Sequence, residues 1–241
     1  MRDLKVCLTP DLFHYYNHPD QIVVVVDILR ATSVISTAFH YGIRSVIPVS
    51  SVEETSLYIE KIDHIIAAER NAMPLPGFDY GNSPFQYMNS DIYNKVLVLT
   101  TTNGTKSIRI AEDYDVITAC YINLDAVFKF LLTQKKDVLI LCSAWKGLIN
   151  LEDSIFAGNL SKLLLESSVF RSSCDSTILS INLCEDAGDN LFEYLSNSSH
   201  RMRLKGLNME KDTRFCLSPD IKSDIIPMLS DGKLSAYNIR E

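Results

Sequence analysis

Four groups of polar side chains stand at the ends of apolar stretches, where strands are expected to give way to loops or helices. They are Asp27, Arg30 and Thr32; Glu69 and Arg70; Thr101, Thr102 and Asn103; and, after a short loop, Glu152 and Asp153. Carboxylates with Thr and Asn oxygens suit a hard cation such as Mg²⁺. Arginine and lysine beside hydroxyls and helix N-termini suit phosphate or sulfonate. The combination predicts metal-assisted chemistry on a phosphoryl group.

The first of these groups follows the most strongly apolar stretch of the chain. Residues 22–26 are five β-branched residues in succession, which favours a strand buried on both faces. The strand stops at Asp27, and a helical pattern then runs to Gly42, a plausible residue to end the helix. Asp27 thus stands at a strand end, directly before a helix start that carries Arg30 and hydroxyl side chains. Open α/β sheets place their ligand sites at such strand ends.

Strands alternate with helices along most of the chain. The predicted strands are 4–8, 22–26, 45–49, 64–68, 95–100, 116–120, 137–142 and 178–183. Further helices are predicted at about 51–61, 106–112, 124–134, 153–165, 191–195 and 200–207, with a Pro- and Gly-rich functional loop at 71–89 and an irregular tail at 215–219 and 225–227. This order predicts an α/β fold, with a mostly parallel or mixed sheet and helices on both faces, in three α/β/α layers. Residues 1–241 are predicted to be a single domain, with a subdomain split near residue 120 left open.

Each polar group also has a purely structural interpretation. Asp27 could serve only as a helix N-cap, and the 101–105 segment could cap its own helix. Glu152 and Asp153 in the first turn of a helix would be favoured by the helix dipole alone. Glu69 and Arg70 could be a surface ion pair. Because the carboxyl ends of parallel strands share one edge of a sheet, we expect the four groups to converge instead.

The bulk properties exclude several classes of protein. The 241-residue chain has a net charge of −7 and no basic block, so nucleic-acid binding is not expected. No apolar run approaches the roughly 20 residues of a membrane helix, and the N-terminus lacks the apolar core of a signal peptide. We therefore expect a cytoplasmic protein without membrane contact. None of the six cysteines forms a CxxC pair, so neither a zinc site nor disulfides are expected. A homo-oligomer is only the common default.

Familiar phosphoryl-transfer motifs are absent. There is no GxxxxGK[ST] loop for a nucleotide and no GxGxxG for a dinucleotide. Phosphatases with an aspartate nucleophile carry DxDx[TV] after the first strand, but here Leu29 stands where the second aspartate would be. A Cys-x₅-Arg loop counted from Cys142 would place its arginine at Leu148. Asp27 is thus expected to find its acidic partners elsewhere in the chain.

Five stretches of the sequence resemble the 2-phosphosulfolactate phosphatases of the coenzyme M pathway. They are VVVVDILRATSVISTAF at 23–39, AERNAMPLPGFDYGNSP at 68–84, LTTTNGTKSI at 99–108, NLEDSIFAGNL at 150–160, and the tail 200–227, with His200, Arg203, Phe215 and Cys216. The resemblance implies an α/β fold peculiar to that family. It also implies Mg²⁺-dependent hydrolysis of (R)-2-phospho-3-sulfolactate, which yields 3-sulfolactate and phosphate.

The resemblance also implies roles for individual residues. Carboxylate-bearing motifs map onto Asp27, Glu69, Asp79, Glu152 and Asp153, and anion-handling positions onto Arg30, Thr32, Arg70, Asn82, Ser83, Asn103, Thr105 and Lys106. Our hypothesis assigns catalysis to Asp27, Arg30, Glu69, Arg70 and Lys106; substrate binding to Thr32, Asn82, Ser83, Thr102, Asn103, Gly104 and Thr105; and Mg²⁺ binding to two or more of Asp27, Glu152 and Asp153. A carboxylate then either activates water or attacks phosphorus directly, and both routes stay open.

Three positions depart from the family pattern and support competing hypotheses. Ala68 and Ala72 stand where the family often has glycine, and Trp145 adds bulk to a loop that usually opens with small residues. A phosphatase of another small phosphorylated acid is therefore the second hypothesis. A non-catalytic protein that binds small anions is the third, and the number of acidic residues disfavours it.

Overall fold

The computed structural model describes residues 1–16, 18–70, 73–75, 77–78, 80–203, 207 and 209–238, with only the backbone at Arg70, Met73 and Pro74. The described strands are β1 (Arg2–Cys7), β2 (Gln21–Val26), β3 (Ser45–Pro48), β4 (His64–Arg70), β5 (Met73–Pro74), β6 (Val96–Thr100), β7 (Asp115–Ala119), β8 (Asp137–Cys142), β9 (Phe170–Arg171), β10 (Ile225–Ser230) and β11 (Lys233–Asn238). The described α-helices are α1 (Ala31–His40), α2 (Val52–Thr55), α3 (Gly104–Ile110), α4 (Leu124–Thr133), α5 (Leu151–Glu166), α6 (Asp175–Ala187), α7 (Leu191–Tyr194), α8 (Ser199–Arg203) and α9 (Glu210–Leu217).

The described strands form one mixed sheet in the order β5-β4-β6-β3-β11-β10-β7-β2-β8-β1-β9. A small parallel block contains β4, β6 and β3, and a large parallel block contains β7, β2, β8, β1 and β9. The antiparallel hairpin β10–β11 lies between them and pairs with β7 on one side and β3 on the other. The predicted α/β class with a mixed sheet is confirmed.

Helices cover both faces of this sheet. Along β2, Ile22, Val24 and Val26 point to one core, which they share with α4 and α5. Val23 and Val25 point to the other core, with α1 and α3. Alternate residues of a strand face opposite sides, so burial of the whole β2 strand requires both layers. The predicted three-layer arrangement is therefore confirmed.

The two parallel blocks run in opposite senses within the sheet. Three antiparallel pairings separate β3 from β7, so the expectation that the strand ends share one edge of a parallel sheet does not apply between the blocks. Five steps lead from β2 to β6. With about 20–25° of twist per step, the rotation reaches roughly 100–125°. We infer that this twist turns the carboxyl ends of the small block toward those of the large block.

The strand predicted at 178–183 is wrong, because these residues lie inside α6. This helix packs against α5 at a very close distance. A Cβ atom at Gly158 would collide with the carbonyl oxygen of Ser180, so only glycine permits the contact. Buried Thr177 and Ser180 on α6, and Ser161 on α5, are likewise small. Tertiary packing therefore overrides the local strand propensity of the Ile and Leu residues in this stretch.

The irregular tail predicted at 215–219 and 225–227 is also wrong. Residues 215–217 belong to α9. Residues 225–227 belong to β10, which pairs with β11 in the hairpin in the middle of the sheet. Asp231 and Gly232 make its two-residue turn with positive φ angles of 51° and 73°. Asp-Gly between apolar runs is a strong hairpin signal, and it was available in the sequence.

Smaller differences concern element ends and caps. Helix α3 begins at Gly104, two residues before the predicted start, and α2 ends at Thr55 with a 3₁₀ turn after it. Gly42 has φ of +92° directly after α1, as expected of a glycine that ends a helix. The single-domain assignment and the split near residue 120 stay predictions. No helix among the described residues is long and apolar enough to cross a membrane.

Candidate active site

A pocket lies where β2, β4 and β6 end. Its lining is formed by Asp27, Leu29, Arg30, Glu69, Asn82, Thr101, Thr102, Asn103, Trp145, His200 and Arg203. The structure thus brings together predicted site residues from three separate polar groups, in both parallel blocks. It adds Trp145, His200 and Arg203, for which no site role was predicted.

Asp27 is fixed at the start of α1 by bonds to its backbone and its carboxylate. The Thr32 amide and hydroxyl both donate to the Asp27 carbonyl oxygen, at 3.0 and 2.9 Å. The Ala31 amide donates to Oδ1 of Asp27 at 3.3 Å. The start of α3 approaches so closely that a Cβ atom on Gly104 would lie 2.6 Å from Asp27 Oδ2 and would collide with Ala31. Thr32 and Gly104 therefore position Asp27 from outside the pocket lining.

The carboxylates of Asp27, Glu152 and Asp153 are buried near one another. Burial, followed by the charge of Glu69, raises the pKa of Asp27 to about 6. Burial and the charge of Asp27 raise the pKa of Glu152 to about 7. Burial, then Asp27 and Glu152, raise the pKa of Asp153 well above its usual value. A bound cation would relieve the mutual repulsion of these three buried carboxylates.

Glu152 and Asp153 differ in how far the protein satisfies their oxygens. Asp153 accepts the Ile28 amide at 2.8 Å and the Asn150 side-chain amide at 3.0 Å. Neither carboxylate oxygen of Glu152 has a hydrogen-bond partner among the described residues. Buried carboxylate oxygens without partners suit Glu152 to bind a metal ion. The oxygens of Asp153 already accept hydrogen bonds that fix the turn after β2. Within the described ranges, no group of three or more His, Cys, Asp or Glu side chains is arranged so that it could hold a metal ion.

Glu69 joins β4 to the loop after β6. Its Oε1 accepts both the amide and the hydroxyl of Thr102, at 3.0 and 2.9 Å. The amides of Thr101 and Thr105 each donate to the hydroxyl of the other residue at 3.1 Å, across the first turn of α3. For Thr105 the geometry fits the helix-capping interpretation, while Thr102 and Asn103 line the pocket.

Arg30 is held in the pocket by residues from distant parts of the chain. Its guanidinium forms an ion pair with buried Asp212 of α9 and lies 3.3 Å from the sulfur of Met209. The other oxygen of Asp212 accepts the Ser83 hydroxyl at 2.9 Å. Ser83 therefore contacts the residue that orients Arg30 and is not itself in the pocket lining.

Helix α8 places His200 and Arg203 on one side of the pocket. Arg203 Nη2 lies 3.0 Å from His200 Nδ1, and Glu152 Oε1 lies 3.3 Å from the same nitrogen. The guanidinium of Arg203 stacks over the indole of Trp145, 4.1 Å from its centroid. Burial and then the charges of nearby arginines lower the pKa of His200 to about 3. The imidazole is therefore neutral at physiological pH.

Other predicted residues lie outside the lining. Lys106 is exposed on α3, and Thr105 is buried beneath the loop. The backbone of Arg70 ends β4, but its side chain, like the whole of Asp79, lies outside the described residues. Their assigned roles stay predictions, as do those of the residues in the pocket.

Some of the added residues left a signal in the sequence. His200 and Arg203 are three residues apart, so on a helix they share one face. Trp145 stood out only as a departure from the family pattern. Asp212 gave no signal, because its partner Arg30 is remote in the chain. The pocket as a whole combines carboxylates with Arg30 and Arg203, and can hold a cation beside a small, multiply charged anion.

Comparison with known proteins gives a consistent result. Residues 7–232 match the family model described as 2-phosphosulpholactate phosphatase. A protein of Caldanaerobacter subterraneus subsp. tengcongensis is 37% identical over 214 residues, covering 87% of this chain and 88% of its own. One of Thermotoga petrophila is 39% identical over 209 residues, with coverage of 87% and 89%. One of a Picosynechococcus species is 34% identical over 239 residues, with coverage of 97% and 98%. All three carry the name probable 2-phosphosulfolactate phosphatase.

Proposed function

Because the chain belongs to the 2-phosphosulfolactate phosphatase family, we propose that it is a phosphoric monoester hydrolase that converts 2-phospho-3-sulfolactate to 3-sulfolactate and phosphate with Mg²⁺ as its cofactor. The observation that carries the proposal is the cluster of three buried carboxylates, Asp27, Glu152 and Asp153, beside a pocket with two arginines. A binder of anions alone would gain nothing from these buried acids, which repel both one another and the ligand.

The donor set fits a hard divalent cation. Asp27 and Glu152 would hold it, since Glu152 has two unsatisfied oxygens and Asp27 lies in the pocket lining. Asp153 would support them through its bonds to Ile28 and Asn150. When bound, Mg²⁺ would supply charge neutralisation and Lewis-acid activation at the phosphoryl group.

The side chains of the protein supply the remaining functions. Arg30, oriented by Asp212, would bind phosphoryl oxygens and stabilise negative charge that develops on them. Thr102 and Asn103 would line the side of the pocket that binds the phosphate. Glu69 fixes their loop by accepting two hydrogen bonds from Thr102. One carboxylate would activate water or attack phosphorus, and both routes remain within the proposal.

A panel of phosphomonoesters tests the substrate assignment. Purified protein with Mg²⁺ is assayed for phosphate release from 2-phospho-3-sulfolactate, 2-phospholactate and para-nitrophenyl phosphate. We expect the highest kcat/KM for phosphosulfolactate, and loss of activity when a chelator removes the metal. Equal or better turnover of another phosphorylated acid would replace the first substrate with that acid, the alternative that Trp145 favours. Binding without turnover of any ester would favour the non-catalytic anion binder. The coenzyme M pathway and a cytoplasmic location are parts of the proposal that this panel leaves as predictions.

A further inference from the structure

Two cysteines lie close together where the start of helix α6 covers the free edge of strand β1. Strand β9 pairs with β1 only at residues 2–3, so the later part of β1 has no strand on that side among the described residues. There the Ser176 hydroxyl donates to the Val6 carbonyl oxygen at 2.5 Å, and the Cys174 sulfur lies 4.0 Å from the same oxygen. Because Cys7 is the next residue of β1, this contact places Cys174 beside Cys7.

The separation of the two cysteines is small enough for a disulfide to form with local movement. A carbonyl oxygen lies roughly 2.8 Å from the next Cα atom across a trans peptide. The Cys174 sulfur is therefore within about 7 Å of the Cys7 Cα atom. Cysteines in disulfides have Cα atoms up to about 6.8 Å apart. Rotation of the two side chains and a small shift of the first turn of α6 can therefore close the bond.

The two thiols differ in reactivity. Cys174 is half-buried, directly precedes the 13-residue helix α6, and has its sulfur 3.0 Å from the Ser176 hydroxyl. Burial alone would raise the pKa of this thiol, but hydrogen bonds to Ser176 and to nearby backbone groups lower the pKa below its usual value. Cys7 is fully buried, and burial, followed by the charge of Cys174, raises its pKa to about 11. Because the thiolate is the reactive form, Cys174 is the thiol that attacks an oxidant from solvent.

We propose that Cys174 is a site of oxidation by peroxides, and that Cys7 converts the oxidised residue to a disulfide that joins β1 to α6. First, the Cys174 thiolate attacks one oxygen of hydrogen peroxide. An S–O bond forms, the O–O bond breaks, and the hydroxide that leaves takes up the proton that Cys174 released. Next, the Cys7 sulfur attacks the sulfur of the Cys174 sulfenic acid. An S–S bond forms, the S–O bond breaks, and the hydroxyl leaves as water with the Cys7 proton. The two thiols are oxidised, and one peroxide is reduced to two waters.

The disulfide is expected to act on the pocket through Thr9. In the structure, whose six cysteines are all free thiols, the Cys7 thiol donates to the Thr9 carbonyl oxygen at 3.1 Å. The Thr9 hydroxyl in turn donates to the Gly147 carbonyl oxygen at 3.1 Å. Gly147 belongs to the loop that carries Trp145, which lines the pocket. Because oxidation removes the Cys7 proton, the first of these bonds is lost. Oxidation should therefore alter the surroundings of Trp145, the only tryptophan of the chain.

Peptide mapping of peroxide-treated protein tests the assignment. Full-length protein is incubated with hydrogen peroxide, the remaining thiols are blocked with iodoacetamide, and the digest is analysed by mass spectrometry with and without dithiothreitol. We expect a pair of peptides linked through Cys7 and Cys174, which dithiothreitol separates. Cys184 is the matched control, because it is half-buried on the same helix but burial raises the pKa of its thiol. It should stay reduced and be alkylated.

Three variants separate the steps. Cys7→Ser should accumulate a sulfenic acid at Cys174 that dimedone traps, and Cys174→Ser should give no linked peptides. Cys184→Ser should form the disulfide as the wild type does. Peroxide should also shift the fluorescence emission of Trp145 in the wild type, and the same treatment of Cys174→Ser should leave the emission unchanged.

A wild-type digest without a link between Cys7 and Cys174 would overturn the proposal, even if Cys7→Ser did not fold. So would oxidation of Cys184 as fast as that of Cys174, or disulfides that form only between two chains. Unchanged Trp145 emission in the disulfide form would overturn the effect on the pocket loop. None of these measurements requires turnover, so they are independent of the proposed phosphatase activity.

Discussion

Arg30 and Asp212 form a buried ion pair although 182 positions separate them in the chain. Arg30 follows the central strand β2, and Asp212 lies on α9 in the C-terminal part of the chain. Because the same carboxylate also accepts the Ser83 hydroxyl, Asp212 joins three segments around the pocket. Correct placement of Arg30 in the pocket therefore depends on the C-terminal region.

Replacement of Asp212 should damage activity more than its position outside the pocket lining suggests. In Asp212→Asn, Arg30 loses its charged partner and its fixed direction, and we expect kcat/KM to fall about 10- to 100-fold and the free energy of unfolding to fall by about 1–3 kcal/mol. Steady-state kinetics and urea titration measure the two effects. Glu210→Gln, which removes an exposed pair with Arg214 on the same helix, is the control and should change either quantity little. Wild-type kcat/KM in Asp212→Asn would refute the positioning role.

The raised pKa values of the buried acids make the metal-free protein less stable at higher pH. A carboxyl group whose pKa is higher in the folded than in the unfolded chain stabilises the fold fully below its unfolded pKa, near 4. That contribution is lost as pH rises through the folded pKa, about 7 for Glu152. The lowered pKa of His200 acts in the opposite direction, but only below about pH 6.5. Between pH 6.5 and 8 the acids should therefore dominate.

Glu152→Gln isolates the contribution of one of these acids. We expect the variant to gain stability relative to wild type as pH rises from 6.5 to 8, by up to about 1.4 kcal/mol per pH unit. Thermal melts in chelator at several pH values measure the difference. Glu166→Gln, at the exposed end of the same helix, should show no such trend. Saturating Mg²⁺ should remove most of the loss of stability that wild type shows as pH rises. A Tm difference between Glu152→Gln and wild type that does not change with pH would contradict the raised pKa.

Thr32 is expected to act on Asp27 through the backbone. Its hydroxyl donates to the Asp27 carbonyl oxygen and accepts the Asp27 amide at 3.2 Å, both fully buried. Thr32→Val keeps the shape and the bond from the residue-32 amide to the Asp27 carbonyl oxygen, but it leaves the buried Asp27 amide without its acceptor. The free energy of unfolding should therefore fall by about 1–3 kcal/mol, and kcat should fall with it. Thr133→Val, which removes a hydroxyl bond at the end of α4, is the comparison. A Thr32→Val protein no less stable than Thr133→Val would argue against the role.

Elements with a strong local signal could be predicted from the sequence. The five β-branched residues at 22–26 predicted β2, and the alternation of strands with helices predicted the three layers. Helix α6 could not be predicted from its own residues, because the close contact at Gly158 decides its structure. The β10–β11 hairpin has a local signal in Asp231 and Gly232, yet its insertion between two parallel blocks is a long-range property.

The site shows the same division. Asp27, Arg30, Glu69, Thr102 and Asn103 lie at or shortly after strand ends, where a local rule places ligands, and all line the pocket. Asp212, His200 and Arg203 reach it from the C-terminal helices, and their position depends on tertiary packing that no spacing reveals. Trp145 was visible only as unexpected bulk, and its stacking with Arg203 gives that bulk a physical role.

We propose that Asp27 serves metal-dependent hydrolysis of a phosphate ester in this pocket. The most direct measurement is phosphate release from 2-phospho-3-sulfolactate at saturating Mg²⁺, by wild type and by Asp27→Asn, with exposed Asp91→Asn as control. We expect wild type and Asp91→Asn to be equally active and Asp27→Asn to lose about 100-fold or more in kcat. Full activity of folded Asp27→Asn would contradict the claim.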